Sequence, residues 1–108
     1  LYAREGLGEQ VALPVPVAGA EHVHHLYAVR SERADELADA LAERGIGARG
    51  YYRTPIHRQP ATARYAPAGL ALPGTDEAAR THLALPMGPE LTEAQVREVV
   101  AAVAAAAA

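Results

Sequence analysis

Three polar side chains, His57, Arg58 and Gln59, stand between two prolines in the stretch Tyr52-Arg53-Thr54-Pro55-Ile56-His57-Arg58-Gln59-Pro60. Proline fixes φ, so Pro55 and Pro60 hold the backbone between them stiffly. His57 and Gln59 then present donors and acceptors at set places, which suits recognition of a hydroxylated ligand. Arg53 and Arg58 flank them, and a guanidinium fork matches phosphate or carboxylate. A phosphate or a carboxylate group would fit. The plainer reading is a surface loop whose polar groups bond their own backbone and whose arginines are solvated.

A second cluster, His22, His24 and His25, raises metal binding. In an extended strand His22 and His24 would share a face. Only Glu21 stands near as a further ligand, so no metal is expected. His25 would share a face with Tyr27 and is read as a packed or inter-domain residue. Other chemistries are closed by composition. There is no cysteine, which removes thiolates and disulfides. All ten basic residues are arginine, so no side chain can form a Schiff base.

These residues need elements to position them. The 108 residues suit one domain with a modest core, and half of them are hydrophobic. Tyrosine is the only aromatic. A core of Leu, Val, Ile and Ala implies that some apolar surface is covered by something outside the segment. The net charge is −3 with no basic patch, which argues against nucleic-acid binding. No run is long enough to span a bilayer, and no signal peptide is visible, so a cytoplasmic protein is expected. The chain begins at Leu1, which suggests a piece of a longer polypeptide.

Along the chain, residues 1–8 read as the end of a helix stopped by Gly8. Residues 11–17 carry Pro14 and Pro16 and read as an edge strand or extended connector, followed by a turn at Gly19. Residues 21–30 alternate as a strand. Ser31 is expected to cap a helix with Leu37, Ala38 and Leu41 on its apolar stripe, ended by Arg44 and Gly45. A second strand is expected over 46–52, where Tyr51 and Tyr52 would point to opposite faces. Residues 61–65 read as a helical turn. Thr75 is expected to cap a short helix with Asp76 and Glu77 in its first turn. Residues 82–85 form a strand ended by Pro86. Thr92 and Gln95 make a capping box for a last helix that buries Val96, Val99, Val100 and Val103. The fold class is α+β: a small, mostly antiparallel sheet with helices on one face. Residues 1–20 form the connector and 21–108 the domain.

Three stretches resemble the C-terminal part of the DegT/DnrJ/EryC1/StrS family. They are His22-Val23-His24-His25-Leu26-Tyr27-Ala28-Val29-Arg30 with Arg33-Ala34-Asp35-Glu36-Leu37, then Gly45-Ile46-Gly47 running to Tyr51-Tyr52-Arg53-Thr54-Pro55-Ile56-His57-Arg58-Gln59-Pro60, and finally Leu83-Ala84-Leu85-Pro86-Met87 with Leu91-Thr92-Glu93-Ala94-Gln95-Val96. The resemblance covers the chain from about Val11 onward, and its weight lies in the ordered set. It implies the small domain of a homodimeric fold-type I enzyme. Such enzymes move an amino group from a glutamate-type donor to a nucleotide-linked keto sugar. It further implies that pyridoxal phosphate is held by a lysine of a large domain, so no catalytic residue is expected in this chain. The substrate-side residues implied are Tyr52, Arg53, His57, Arg58, Gln59 and His25. Many members have His-Tyr where this chain has Tyr51-Tyr52, which points to a different substrate choice. The competing expectation is a free-standing regulatory module that binds an amino acid, and a blander one is an interaction domain without a ligand.

Overall fold

A computed structural model describes all residues, 1–108. Its elements in order are strand β1 (Tyr27–Arg30), helix α1 (Ala34–Ala42), helix α2 (Pro73–Thr81), strand β2 (His82–Leu85) and helix α3 (Glu93–Ala107). Single 3₁₀ turns stand at Leu7–Glu9, Ile56–Arg58 and Ala63–Tyr65. The architecture is α+β, with a two-stranded antiparallel sheet that pairs Tyr27 with Leu85 and Arg30 with His82. Isolated bridges extend it on both sides, Ala12 to Arg30 and Arg49 to Ala84.

Helix α1 forms where the apolar spacing asks for it, and Leu37 and Leu41 are buried. Its stop is set by Gly45 at φ 72°. The Gly45 N–H bonds the Ala42 carbonyl and the Ile46 N–H bonds the Leu41 carbonyl, both at 2.9 Å, which closes the orphan carbonyls of the last turn. Helix α3 opens with the expected capping box between Thr92 and Gln95 and buries Val96, Val99, Ala102 and Val103. Arg44 ties the end of α1 to α3 by donating from Nη1 to the Ala102 carbonyl at 2.9 Å. These faces meet Val29, Leu83 and Leu85 of the sheet in one core, which Tyr2, Leu7 and Val11 also enter.

Four expectations are corrected. The strand over 21–30 begins only at Tyr27. His24 sits at φ 45°, and its N–H bonds His22 Nδ1 at 2.9 Å, so a local turn replaces the ladder. Val23, 91% exposed, has no apolar surface to bury against. The strand over 46–52 is reduced to the Arg49 bridge, and Tyr51 and Tyr52 lie in a turn, not on sheet faces. Helix α2 starts at Pro73, where the missing N–H costs nothing, leaving Thr75 inside the helix. In place of a helix ended by Gly8, residues 2–6 are turns that end at the left-handed Gly6, ahead of the Leu7–Glu9 turn. Ser31 still accepts the Arg33 N–H at 3.2 Å, although α1 proper begins at Ala34.

Candidate functional site

The polar stretch predicted from sequence is a folded turn laid against α1 and α2. It starts with Arg53, whose side chain is mostly covered. Nε donates to Asp35 Oδ1 at 2.6 Å, and Nη1 donates to the Ala79 carbonyl at 3.1 Å and to the His82 carbonyl. Gly50 makes room for this. A Cβ there would lie 2.4 Å from the Arg53 guanidinium carbon. The guanidinium that the sequence offered to an anion is therefore engaged by the chain itself.

Beyond Pro55 the backbone closes on itself. Arg58 N–H bonds the Pro55 carbonyl at 2.9 Å, and the Gln59 carbonyl accepts from Thr62 and Ala63 at 3.0 and 2.8 Å. The Gln59 amide donates to the Thr54 carbonyl at 3.2 Å, so Gln59 also serves its own loop. Arg58 Nη2 donates to Asp76 Oδ2 at 2.6 Å while the rest of its side chain stays exposed. His57 turns inward. Its side chain is only 10% exposed, and Nε2 lies 3.8 Å from Asp76 Oδ1. Neither ring nitrogen nor that carboxylate oxygen has a hydrogen-bond partner, although all three are buried.

Arg53, Arg58 and Arg80 share a cleft of about 540 Å³ with Asp35, Asp76 and Glu77. Three guanidiniums face three carboxylates, so the cleft has no net charge to draw in an anion by itself. Arg80 pairs with Glu32, whose hydrogen bond holds the Glu32 carboxyl below its usual range and pushes Arg80 up. Tyr52 is 73% exposed beside the turn, edge-on to Tyr51 with ring centroids 5.8 Å apart. His25 is placed elsewhere. It lines a separate cavity of about 270 Å³ with Leu26, Arg49, Tyr51 and Met87. Sequence reasoning thus located the turn but missed Asp35, Asp76 and Gly50, which position it. Asp76 was read only as a first-turn acid. Nothing in its spacing signals a pairing with residues eighteen or more positions away.

The histidine cluster does not share a strand face. His22 and His24 stack at 4.0 Å, and His22 Nδ1 is taken up by the His24 N–H. No group of three His, Cys, Asp or Glu side chains is placed to hold a metal ion. The row of rings continues from His24 through Tyr27 to Tyr2. The Tyr2 hydroxyl donates to the Pro86 carbonyl at 2.7 Å, and burial, then the neighbouring Tyr27, pushes its phenol up to about 12.

An α+β unit of this order, with a tied polar turn between sheet and helix, matches parts of known aminotransferases. The DegT/DnrJ/EryC1/StrS aminotransferase family matches residues 3–104, and the chain belongs to that family. It is similar to dTDP-3-amino-3,4,6-trideoxy-alpha-D-glucose transaminase of Streptomyces venezuelae, 42% identical over 93 residues, covering 86% of this chain and 24% of the relative. It is also similar to the pleiotropic regulatory protein of Geobacillus stearothermophilus, 41% identical over 100 residues, covering 93% of this chain and 27% of the relative. Among solved structures it superposes on S. venezuelae DesV in complex with a ketimine intermediate, with TM-score 0.88, 40% identity, and coverage of 98% of this chain and 29% of that one. An aminotransferase of this family from Brucella abortus gives TM-score 0.85 at 31% identity, covering 96% of this chain and 28% of that one. The chain therefore spans roughly a quarter of the length of the curated relatives it matches.

The family implies pyridoxal phosphate. The donor set here does not make its site, because a chain without lysine has no amine to join the cofactor. No helix is long and apolar enough to cross a membrane.

Proposed function

We propose that this chain is the C-terminal small domain, of the fold-type I kind, of a pyridoxal-phosphate-dependent aminotransferase. The enzyme acts on a nucleotide-linked keto sugar with a glutamate-type amino donor. It is a cytoplasmic homodimer. Its cofactor, the electron sink of the reaction, is held by a lysine of a large domain that these residues do not include. The observation that carries this reading is the superposition on DesV across 98% of the chain at 40% identity. The similarity to the S. venezuelae transaminase supports the sugar class of the substrate.

In this reading the chain binds and orients; it performs no proton transfer. The turn at 52–60 faces the substrate. Tyr52 offers it a ring face, the exposed stem of Arg58 lines its approach, and His25 borders the cleft from the other cavity. Arg53, His57 and Gln59 act from behind, holding the turn in shape and keeping water out of the space beneath it.

The test is made on the full-length polypeptide. Borohydride should fix the cofactor to a lysine outside these residues, and glutamate should aminate a dTDP-linked keto sugar. A full-length protein that neither holds the cofactor nor transaminates would sink the proposal. The similarity to a protein named a pleiotropic regulatory protein favours a second reading, a regulatory module, for which an amino acid is the ligand expected from sequence. Saturable amino-acid binding by a protein without transaminase activity would select it.

A further inference from the structure

The polar groups that the turn leaves unsatisfied converge on one residue outside it. Asp76 accepts Arg58 Nη2 on Oδ2 at 2.6 Å, and its Oδ1 lies 3.8 Å from His57 Nε2. That second oxygen and both imidazole nitrogens are buried without a partner. Arg53 and Gln59, by contrast, are tied to backbone carbonyls, to Asp35 and to the His82 ring. Three unpaired polar atoms in one buried spot are costly, so the spot calls for an explanation. The helix-dipole role of a first-turn acid does not supply one. Such an acid needs no side-chain partner, whereas the Asp76 side chain, 31% exposed, is turned under the loop and bonded to Arg58.

Geometry accounts for two of the three atoms, His57 Nε2 and Asp76 Oδ1. The gap between Nε2 and Oδ1 is about 1 Å longer than a hydrogen bond. A shift of the turn toward α2 by that amount would seat His57 on the free oxygen while Arg58 keeps the other. We infer that Asp76 is the positioning residue of the turn at 55–60: one carboxylate holds the turn at two consecutive side chains and sets where it lies against the substrate. The inference rests on reading the turn as the substrate side of a nucleotide-sugar aminotransferase. It assigns Arg58 to Asp76 and not primarily to the ligand.

The experiment compares the full-length protein with Asp76→Asn, Arg58→Gln and the double variant. Steady-state kinetics are measured against each substrate, and hydrogen exchange is measured in the peptide spanning 54–63. Asp76→Asn is expected to speed exchange at Arg58, Gln59, Thr62 and Ala63. It should raise KM for the nucleotide sugar roughly tenfold, the scale of a displaced positioning group. KM for the amino donor and the cofactor absorbance should stay unchanged, which a general loss of structure would not allow. Arg58→Gln should reproduce the effect, and the double variant should be no worse than Asp76→Asn, because both changes break one clamp. Additive effects would overturn the inference, since Arg58 would then act on the ligand independently. Unchanged exchange in Asp76→Asn would also overturn it. Should Asp76→Asn not fold, Arg58→Gln, at an exposed side chain, decides the matter by the same readouts. Should the wild type lack transaminase activity, the functional reading falls while the exchange comparison still tests the clamp.

Discussion

Two halves of the molecule are held together by different physics. In one, α1, α3 and the sheet bury Leu, Val and Ala side chains in a shared core. In the other, from Gly47 to Ala78, no apolar residue is buried. Tyr52, Ile56 and Tyr65 there are each more than 70% exposed. That second half keeps its shape through a few directed bonds: Arg53 to Asp35 and two carbonyls, and Arg58 to Asp76. Apolar burial is non-directional and tolerates sliding, whereas a guanidinium fork fixes position. The proposed substrate-facing turn lies in the half where position is set one bond at a time.

The comparison can be broken most sharply in the core. Leu41 is fully buried, and Leu41→Ala should cost about 2–5 kcal/mol in urea unfolding of the full-length protein. Ile56→Ala in the other half should cost under about 0.5 kcal/mol. An equal loss at Ile56 would mean that another surface covers it and that the two halves do not differ as described.

A smaller effect is expected at Arg53. Arg53→Met keeps the stem and removes every directed bond, which should cost about 1–2 kcal/mol. Its mark should be faster hydrogen exchange confined to residues 50–60. Global loosening that reaches α3 would show that the two halves are not separately held.

The subtlest test uses pH and lies on the core side. The Tyr2 phenol, pushed up to about 12 by burial and by Tyr27, keeps its proton in the fold after the unfolded chain, titrating near 10, has released its own. Between those values the unfolded state binds fewer protons, so stability falls as pH rises through the window. Tyr2→Phe should lose about 1 kcal/mol at neutral pH with the bond to Pro86 and then show a shallower alkaline decline. Tyr27, also raised by burial, contributes its slope to both proteins. The two stability curves should converge above pH 10 and cross before pH 12; parallel curves would remove Tyr2 from the alkaline limb.

The same division explains what could be read from the sequence. Helix α1 with its Gly45 stop, the capping box at Thr92 and strand β2 followed from apolar spacing and end signals, and all are present. The family followed from ordered short stretches. What failed was alternation without burial. Residues 21–26 alternate well enough for a strand but have nothing to pack on, and a histidine-to-backbone bond turns the chain aside. In the candidate site, Arg53 and Arg58 were visible as side chains. Their partners Asp35, Asp76 and the Ala79 carbonyl were not, because the fold, not the spacing, brings them close. The Gly50 requirement was hidden for the same reason.

The sheet, finally, bears on how copies of this chain avoid one another. A two-stranded ribbon has two rims where a stranger's backbone can add. Here one rim carries the Ala12 bridge and the other the Arg49 bridge. Past Ala12 the chain soon meets Pro14 and Pro16, which have no N–H to offer. Arg49 stands between Gly47 and Gly50, which favour departure from a strand. Each rim is paired at a single residue, and the chain that pairs it turns away before offering a ladder of its own, so the small sheet that frames the site is a poor seed for intermolecular strand addition.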